Sequence, residues 1–157
     1  MRAALLCVGK LKEKYWRDAC AEYLKRLTRY GQEELIEVPD APDPAHASPG
    51  ADAQVLRIEG ERLLAKIRPD DYVIALAIDG KSYTSVGFAE HVEKVMLKGR
   101  MVFVIGGSLG LSPEVYARAN ERISFSALTF PHQMMRVIFL EQLYRACRIQ
   151  AKEPYHK

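Results

Sequence analysis

Three segments in the last third of the chain hold the residue types best suited to binding a cofactor and working beside it. They are a glycine turn, Ile105-Gly-Gly-Ser-Leu-Gly-Leu-Ser-Pro113, a mixed run, Ser124-Phe-Ser-Ala-Leu-Thr-Phe-Pro-His132, and a helical stretch ending in Glu153-Pro-Tyr-His-Lys157. Gly106, Gly107 and Gly110 permit positive φ and let a ligand come close to the backbone, where any side chain beyond Cα would obstruct it. The spacing Gly-Gly-x-x-Gly is neither the dinucleotide fingerprint nor a Walker loop, because no Gly-Lys-Ser/Thr follows. Alone, the glycines would serve equally as a tight strand-to-helix turn. With the second segment beside them they read as a cofactor site.

Such a site needs elements to hold it. The glycine turn follows an apolar strand, Met101-Val-Phe-Val-Ile105, and enters a helix marked by Ser112 as N-cap, Pro113 at the first position and Glu114 at the positive dipole end. Short apolar runs predict strands near 2–8, 34–38, 71–78, 101–106 and 122–127. Amphipathic stretches predict helices near 14–29, 53–68, 85–98 and 112–119. The pattern is α/β, a largely parallel sheet flanked by helices. In the first helix Trp16, Ala19, Cys20, Tyr23, Leu24 and Leu27 follow the 3,4 repeat, which leaves Lys14, Arg17, Lys25, Arg26 and Arg29 towards solvent. The proline-rich segment 39–52 lacks apolar periodicity and is expected to be a surface loop, an insertion rather than a lid. The terminal helix, about 131–150, carries Met134, Met135, Val137, Ile138, Phe139, Leu140, Leu143, Tyr144, Ala146 and Ile149 on more than one face. A helix of that kind must be covered on several sides, which predicts a homodimer with this helix in the interface; the alternative is a central core helix of a monomer.

Composition bounds the answer. The 157 residues suit a single domain, 1–157, and the 48% hydrophobic and 27% charged fractions are those of an ordinary globular protein. No run reaches the roughly 18 apolar residues needed to span a bilayer and the start reads as a strand, so no membrane partner and a cytoplasmic location are expected. Cys7, Cys20 and Cys147 show no ligand spacing and are expected to be reduced, buried thiols; His46, His91, His132 and His156 show no metal pairing, so no metal is implied. Charge is uneven: residues 1–30 hold eight Lys/Arg against three Asp/Glu, and residues 31–62 hold two against eight. Residues 131–157 hold five against two, so both ends are basic and could meet a polyanion, although solvated helix faces look the same.

Taken with Arg136, Glu141-Gln-Leu-Tyr-Arg145 and the closing Pro154-Tyr-His-Lys157, the glycine turn and the run to His132 resemble the ribosomal RNA large subunit methyltransferase H family, of the SPOUT class. The likeness extends over the whole chain, including Leu6-Cys-Val-Gly9, Ile36-Glu-Val-Pro39 and Leu76-Ala-Ile-Asp-Gly-Lys81. It implies a minimal SPOUT-like domain with a C-terminal trefoil knot, against the general rule that chains do not thread their own loops. The implied reaction is methyl transfer from S-adenosyl-L-methionine to N3 of a pseudouridine in the helix 69 loop of 23S ribosomal RNA, on assembled ribosomes. Carried over by position, the cofactor contacts are Leu76, Gly106 and the run Phe125, Ser126, Ala127, Leu128, Thr129 and Phe130. The missing phosphate-cradling lysine fits, since this cofactor carries no phosphate.

The reaction so implied needs alignment above all, together with help for a weakly acidic imide N3–H. His132 is the candidate base, with Tyr155 and His156 as rivals. Arg136, one turn after His132, is expected to face the site; it, Arg145 and Arg148 serve either to bind RNA phosphate or hold the pseudouridine carbonyls, or else to make salt bridges of the dimer with Glu141 or Glu153. The tail Pro154-Tyr-His-Lys157 is expected to fold over a cofactor site, the partner subunit's being one candidate, and the partner's basic first helix to add RNA contact. Two other classes remain. A Rossmann-type enzyme would carry its fingerprint after the first strand, where Val8-Gly-Lys-Leu11 stands instead. A non-catalytic ribosome-binding factor would need the basic ends but no cofactor slot.

Overall fold

A computed structural model describes residues 1–42 and 48–157. Five strands alternate with five helices: β1 (Arg2–Val8), α1 (Lys14–Leu27), β2 (Gln32–Val38), α2 (Pro49–Leu64), β3 (Tyr72–Ser82), α3 (Ser85–Val95), β4 (Met101–Ile105), α4 (Pro113–Arg118), β5 (Glu121–Ser124) and α5 (His132–Gln150). The strands form one sheet in the order β2-β1-β4-β3-β5, and each neighbouring pair is parallel.

The central strands are apolar throughout because helices cover both faces. Alternate residues of β1 and β4 divide between two cores. Leu5, Cys7, Phe103 and Ile105 pack with Leu27, Phe88, Phe139 and Leu143 from α1, α3 and α5. Ala4, Leu6, Val102 and Val104 pack with Leu63 and Val115 from α2 and α4. Cys7, Cys20 and Cys147 are buried free thiols, and burial pushes Cys7 up to about 12.

The helices follow their sequence signals with instructive differences at the ends. α1 buries Cys20 and Leu27 and leaves Lys14, Arg17, Lys25, Arg26 and Arg29 exposed, as its repeat predicts. α2 starts at Pro49 rather than near 53, so the expected loop 39–52 is shorter: Ser48 takes an extended N-cap conformation and Pro49 stands at the helix start, where a missing N–H costs nothing. The middle of that loop, residues 43–47 including His46, lies outside the described residues. α3 ends at Val95 and a single 3₁₀ turn, Met96–Lys98, leads to Gly99 with φ 144°. β3 runs to Ser82 with a register shift between Leu76 and Lys81, and β5 stops at Ser124 instead of continuing to 127.

α5 packs against both α1 and α3. Its buried stripe is Arg136, Phe139, Leu140, Leu143, Tyr144, Ala146 and Cys147, while Met134, Val137 and Ile138 are half-buried in the single chain. Among the described residues, no helix is long and apolar enough to cross a membrane.

Candidate active site

Three adjacent strands end at the same edge of the sheet, where the outer half of β3 and the loops leaving β4 and β5 enclose a cavity of about 550 Å³. Its walls include Leu76, Ile78 and Asp79 from the outer half of β3 itself, Gly106, Gly107, Ser108 and Gly110 from the loop after β4, and, as the third wall, the stretch 123–132 except Ala127 from the end of β5 onward.

Each wall is shaped by close backbone approach. A Cβ on Gly80 would lie 2.5 Å from the Ile123 carbonyl carbon, so β3 can cross the end of β5 only with glycine there. A Cβ on Gly106 would lie 2.3 Å from the Gly110 carbonyl oxygen. Gly107 and Gly110 close the turn, Gly110 N–H donating to the Gly107 carbonyl at 3.1 Å, and only Gly110 of the three glycines has positive φ, at 84°. The expectation of positive φ at Gly106 and Gly107 is therefore corrected: these two are needed for space, not for a left-handed backbone.

The third wall is held by its own serines and an aromatic anchor. Ser124 Oγ donates to the Ser126 carbonyl at 3.1 Å, and Ser126 Oγ accepts from Leu128 N–H at 3.0 Å, local bonds typical of serine in turns. Phe125 sits between Phe88 and Phe139, with ring centroids 5.6 and 6.0 Å away. Leu128 is left 70% exposed beside the cavity.

No lysine or arginine is among the described residues lining this cavity. Asp79 at its rim is held by Arg122 at 3.1 Å, and the Arg122 guanidinium lies 3.9 Å from the centroid of the Tyr116 ring. His132, the first residue of α5, is half-buried in the wall; burial, aided by the Arg136 charge, lowers its pKa below the ordinary histidine value, so its imidazole is neutral and able to accept a proton at neutral pH.

Of the residues singled out from sequence, Leu76, Gly106, Phe125, Ser126, Leu128, Thr129, Phe130 and His132 meet in this cavity, and Ala127 does not line it. Arg136 is corrected: it is fully buried away from the cavity, donating to Glu37 Oε2 at 2.8 Å and to the carbonyls of Val8 and Gly9 at 2.7 and 2.9 Å. Neither Tyr155 nor His156 lines the cavity of its own chain. Tyr155 packs edge-on against Tyr144 and donates to Glu141 Oε1 at 3.1 Å, and exposed His156 has Nδ1 3.3 Å from Arg145 Nη1. Arg145 and Arg148 pair with Glu141 and Glu153 within the one chain, where salt bridges of the dimer were the second expectation. Sequence reasoning missed Ile78, Asp79 and Tyr116. The Asp79-Gly80 pair, a turn signal inside an apolar run, was the available clue to the first wall.

A parallel sheet with a mostly apolar, glycine-walled cavity at its carboxyl edge is the arrangement in which α/β proteins hold small ligands. A family model described as "Predicted SPOUT methyltransferase" matches residues 1–156, and the chain belongs to that family, whose members take a methyl group from S-adenosylmethionine. It is 53% identical over 159 residues to the ribosomal RNA large subunit methyltransferase H of Streptococcus thermophilus (strain CNRZ 1066), covering 100% of both chains. Proteins of the same name from Exiguobacterium sibiricum and Bifidobacterium animalis subsp. lactis are 54% and 52% identical, again over the full length of both chains. Among solved structures, a probable methylase family protein from Haemophilus influenzae Rd KW20 shares the fold, with a TM-score of 0.56 at 17% identity over 99% of this chain and 70% of that one.

Proposed function

We propose that this methyltransferase modifies N3 of a pseudouridine in the helix 69 loop of 23S ribosomal RNA on assembled ribosomes, as a cytoplasmic homodimer of one SPOUT domain with the trefoil knot its resemblance implies. The observation that carries the reading is a glycine-walled, cation-free cavity with a neutral histidine beside it.

The residues present fit S-adenosylmethionine. Gly106 and Gly110 give close approach to backbone amides and carbonyls, Leu76, Phe125, Leu128 and Phe130 give an apolar slot, and Ser126 and Thr129 add small polar groups. A cavity without Lys or Arg suits a cofactor that is a sulfonium cation and carries no phosphate. When bound, it supplies an electrophilic methyl group for in-line displacement. The chain's own task is alignment and proton handling: three rigid walls fix the cavity, and the neutral imidazole of His132 accepts the imide proton as N3 becomes nucleophilic.

Two features support a second subunit. Met134, Val137 and Ile138 leave an apolar strip of α5 half-covered, beside a groove of about 240 Å³ lined by Tyr83, Phe88, Ile138 and Gln142. The tail bearing Tyr155 and His156 does not line its own cavity: Tyr155 folds back along α5 as far as Glu141, nine residues after His132 and so roughly 13 Å from it at about 1.5 Å per residue. We therefore assign Tyr155 and His156 to the partner's cavity, and the basic outer face of the partner's α1 to ribosomal RNA.

The test is transfer of labelled methyl from S-adenosylmethionine to assembled ribosomes bearing or lacking the helix 69 pseudouridines, with the modified base mapped. Label confined to pseudouridine-bearing large-subunit RNA is the expected result. Saturable cofactor binding with no label in either would overturn the substrate, and absence of cofactor binding would favour a non-catalytic ribosome-binding factor.

A further inference from the structure

The end of the chain is fastened with more bonds than a terminus ordinarily keeps. After α5 the backbone turns at Lys152, which adopts φ 56° although it is not glycine, and Glu153 N–H donates back to the Arg148 carbonyl at 2.9 Å. The Glu153 carboxylate then gathers three donors, two from the turn between α1 and β2 and one from α5. Arg29 Nη2 lies 2.7 Å from Oε1, and Arg148 Nη1 lies 3.0 Å from Oε2, which also accepts from the Tyr30 hydroxyl. The side chain is 20% exposed, and the Tyr30 hydrogen bond, with Arg148 and Arg29, holds its carboxyl below the usual range, so it is ionised at neutral pH. Two residues on, Tyr155 is flanked by Tyr144, Glu141 and Arg145, while His156 stays exposed.

We infer that Glu153 is a positioning residue, clasping the tail to α5 and to the turn after α1 so that Tyr155 and His156 are presented in one conformation to the partner's cavity. The inference rests on the proposal that the tail acts in a second subunit's site. A tail held by a tyrosine hydroxyl, two guanidiniums and a left-handed turn has its ordering entropy met before substrate arrives, which is what presenting a ring and an imidazole to another subunit's site requires. Glu153 touches neither cofactor nor substrate; it works through the residues that follow it.

The experiment uses the full-length dimer and three changes: deletion of residues 154–157, Glu153→Ala, and Glu153→Gln, which keeps an acceptor for Tyr30 but loses both ion pairs. Steady-state methyl transfer to ribosomes and direct binding of S-adenosylmethionine are measured for each. The expected result is a kcat reduced about a hundredfold by the deletion and about tenfold by Glu153→Ala, with Glu153→Gln between wild type and Glu153→Ala and cofactor Kd within about twofold throughout. Full kcat in Glu153→Ala beside a dead deletion would overturn the clasp and leave the tail's role standing. Full kcat in the deletion would overturn the tail's role and the clasp together. Parallel loss of cofactor binding and kcat in Glu153→Ala would make the residue merely structural and overturn the inference.

Discussion

Arg136 and Glu37 stand 99 residues apart in the chain and 2.8 Å apart in the fold, Nη1 to Oε2. Glu37 Oε2 also accepts Leu11 N–H at 2.8 Å, and the second Arg136 nitrogen takes the Val8 and Gly9 carbonyls just past the end of β1. The helix that begins with His132 is thereby pinned to the carboxyl end of the sheet.

Arg136 is buried while Glu37 is open to water, so removing the guanidinium strands chiefly the Val8 and Gly9 carbonyls. Arg136→Ala is expected to lower unfolding free energy by about 2–3 kcal/mol, read by urea denaturation, whereas Arg136→Lys, which keeps a charge but cannot reach three acceptors in a fixed fork, should lose less. A change below about 1 kcal/mol in Arg136→Ala would contradict the pinning.

His132 is the proposed base and is held neutral. His132→Ala should cost about 10²–10⁴ in kcat while leaving cofactor affinity nearly unchanged. Because its pKa is lowered in the fold, the acid limb of kcat against pH should fall below the ordinary histidine value. The same shift has a stability consequence of definite sign. The unfolded state takes up the proton first as pH drops, so the imidazole's contribution is present above about 6.5 and is lost as pH falls through the folded pKa.

The glycine turn separates space from conformation. Gly106→Ala places a Cβ 2.3 Å from the Gly110 carbonyl oxygen and should displace the loop, weakening S-adenosylmethionine binding more than tenfold by calorimetry, since the cavity wall itself moves. Gly110→Ala meets no atom within 4 Å but strains φ at 84°, so its expected cost is about 1 kcal/mol of stability. Equal binding losses in the two variants would contradict this division.

Near the start of β2, Glu33 buries both carboxylate oxygens without a hydrogen-bond partner, and burial raises its pKa from 4.5 to about 7. The folded state binds this proton more tightly than the unfolded one, so its contribution is full below 4.5 and fades as pH rises to about 7. Glu33→Gln should therefore stabilise at pH 8 by on the order of 1 kcal/mol, allowing for partial burial, and gain little at pH 4. Thermal melts at the two pH values decide it.

The strands and the cofactor run were legible because each depends on local pattern. Met101–Ile105 is apolar throughout since both its faces are covered, and Ser124–His132 stands out by its residue types. What escaped depended on distant partners. The helical period places Arg136 one turn from His132, but nothing local says that its guanidinium would turn instead to Glu37. Four prolines between 39 and 49 read as loop, although one of them stands at the start of α2. Asp79 was missed because β3 had to be read as continuing beyond 78, through a register shift that only its neighbour β5 creates.

That neighbour has a further consequence. β5 is four residues long, is the last strand made, and is the partner that covers the outer edge of β3 at Ile74, Ala75 and Leu76. During synthesis the β2-β1-β4-β3 portion is complete before β5 emerges, and it then presents the bare amides and carbonyls of β3 to any other extended peptide. A premature stop near Asn120 would thus yield a sticky, half-finished sheet, an aggregation hazard and a substrate for quality control rather than a merely inactive enzyme.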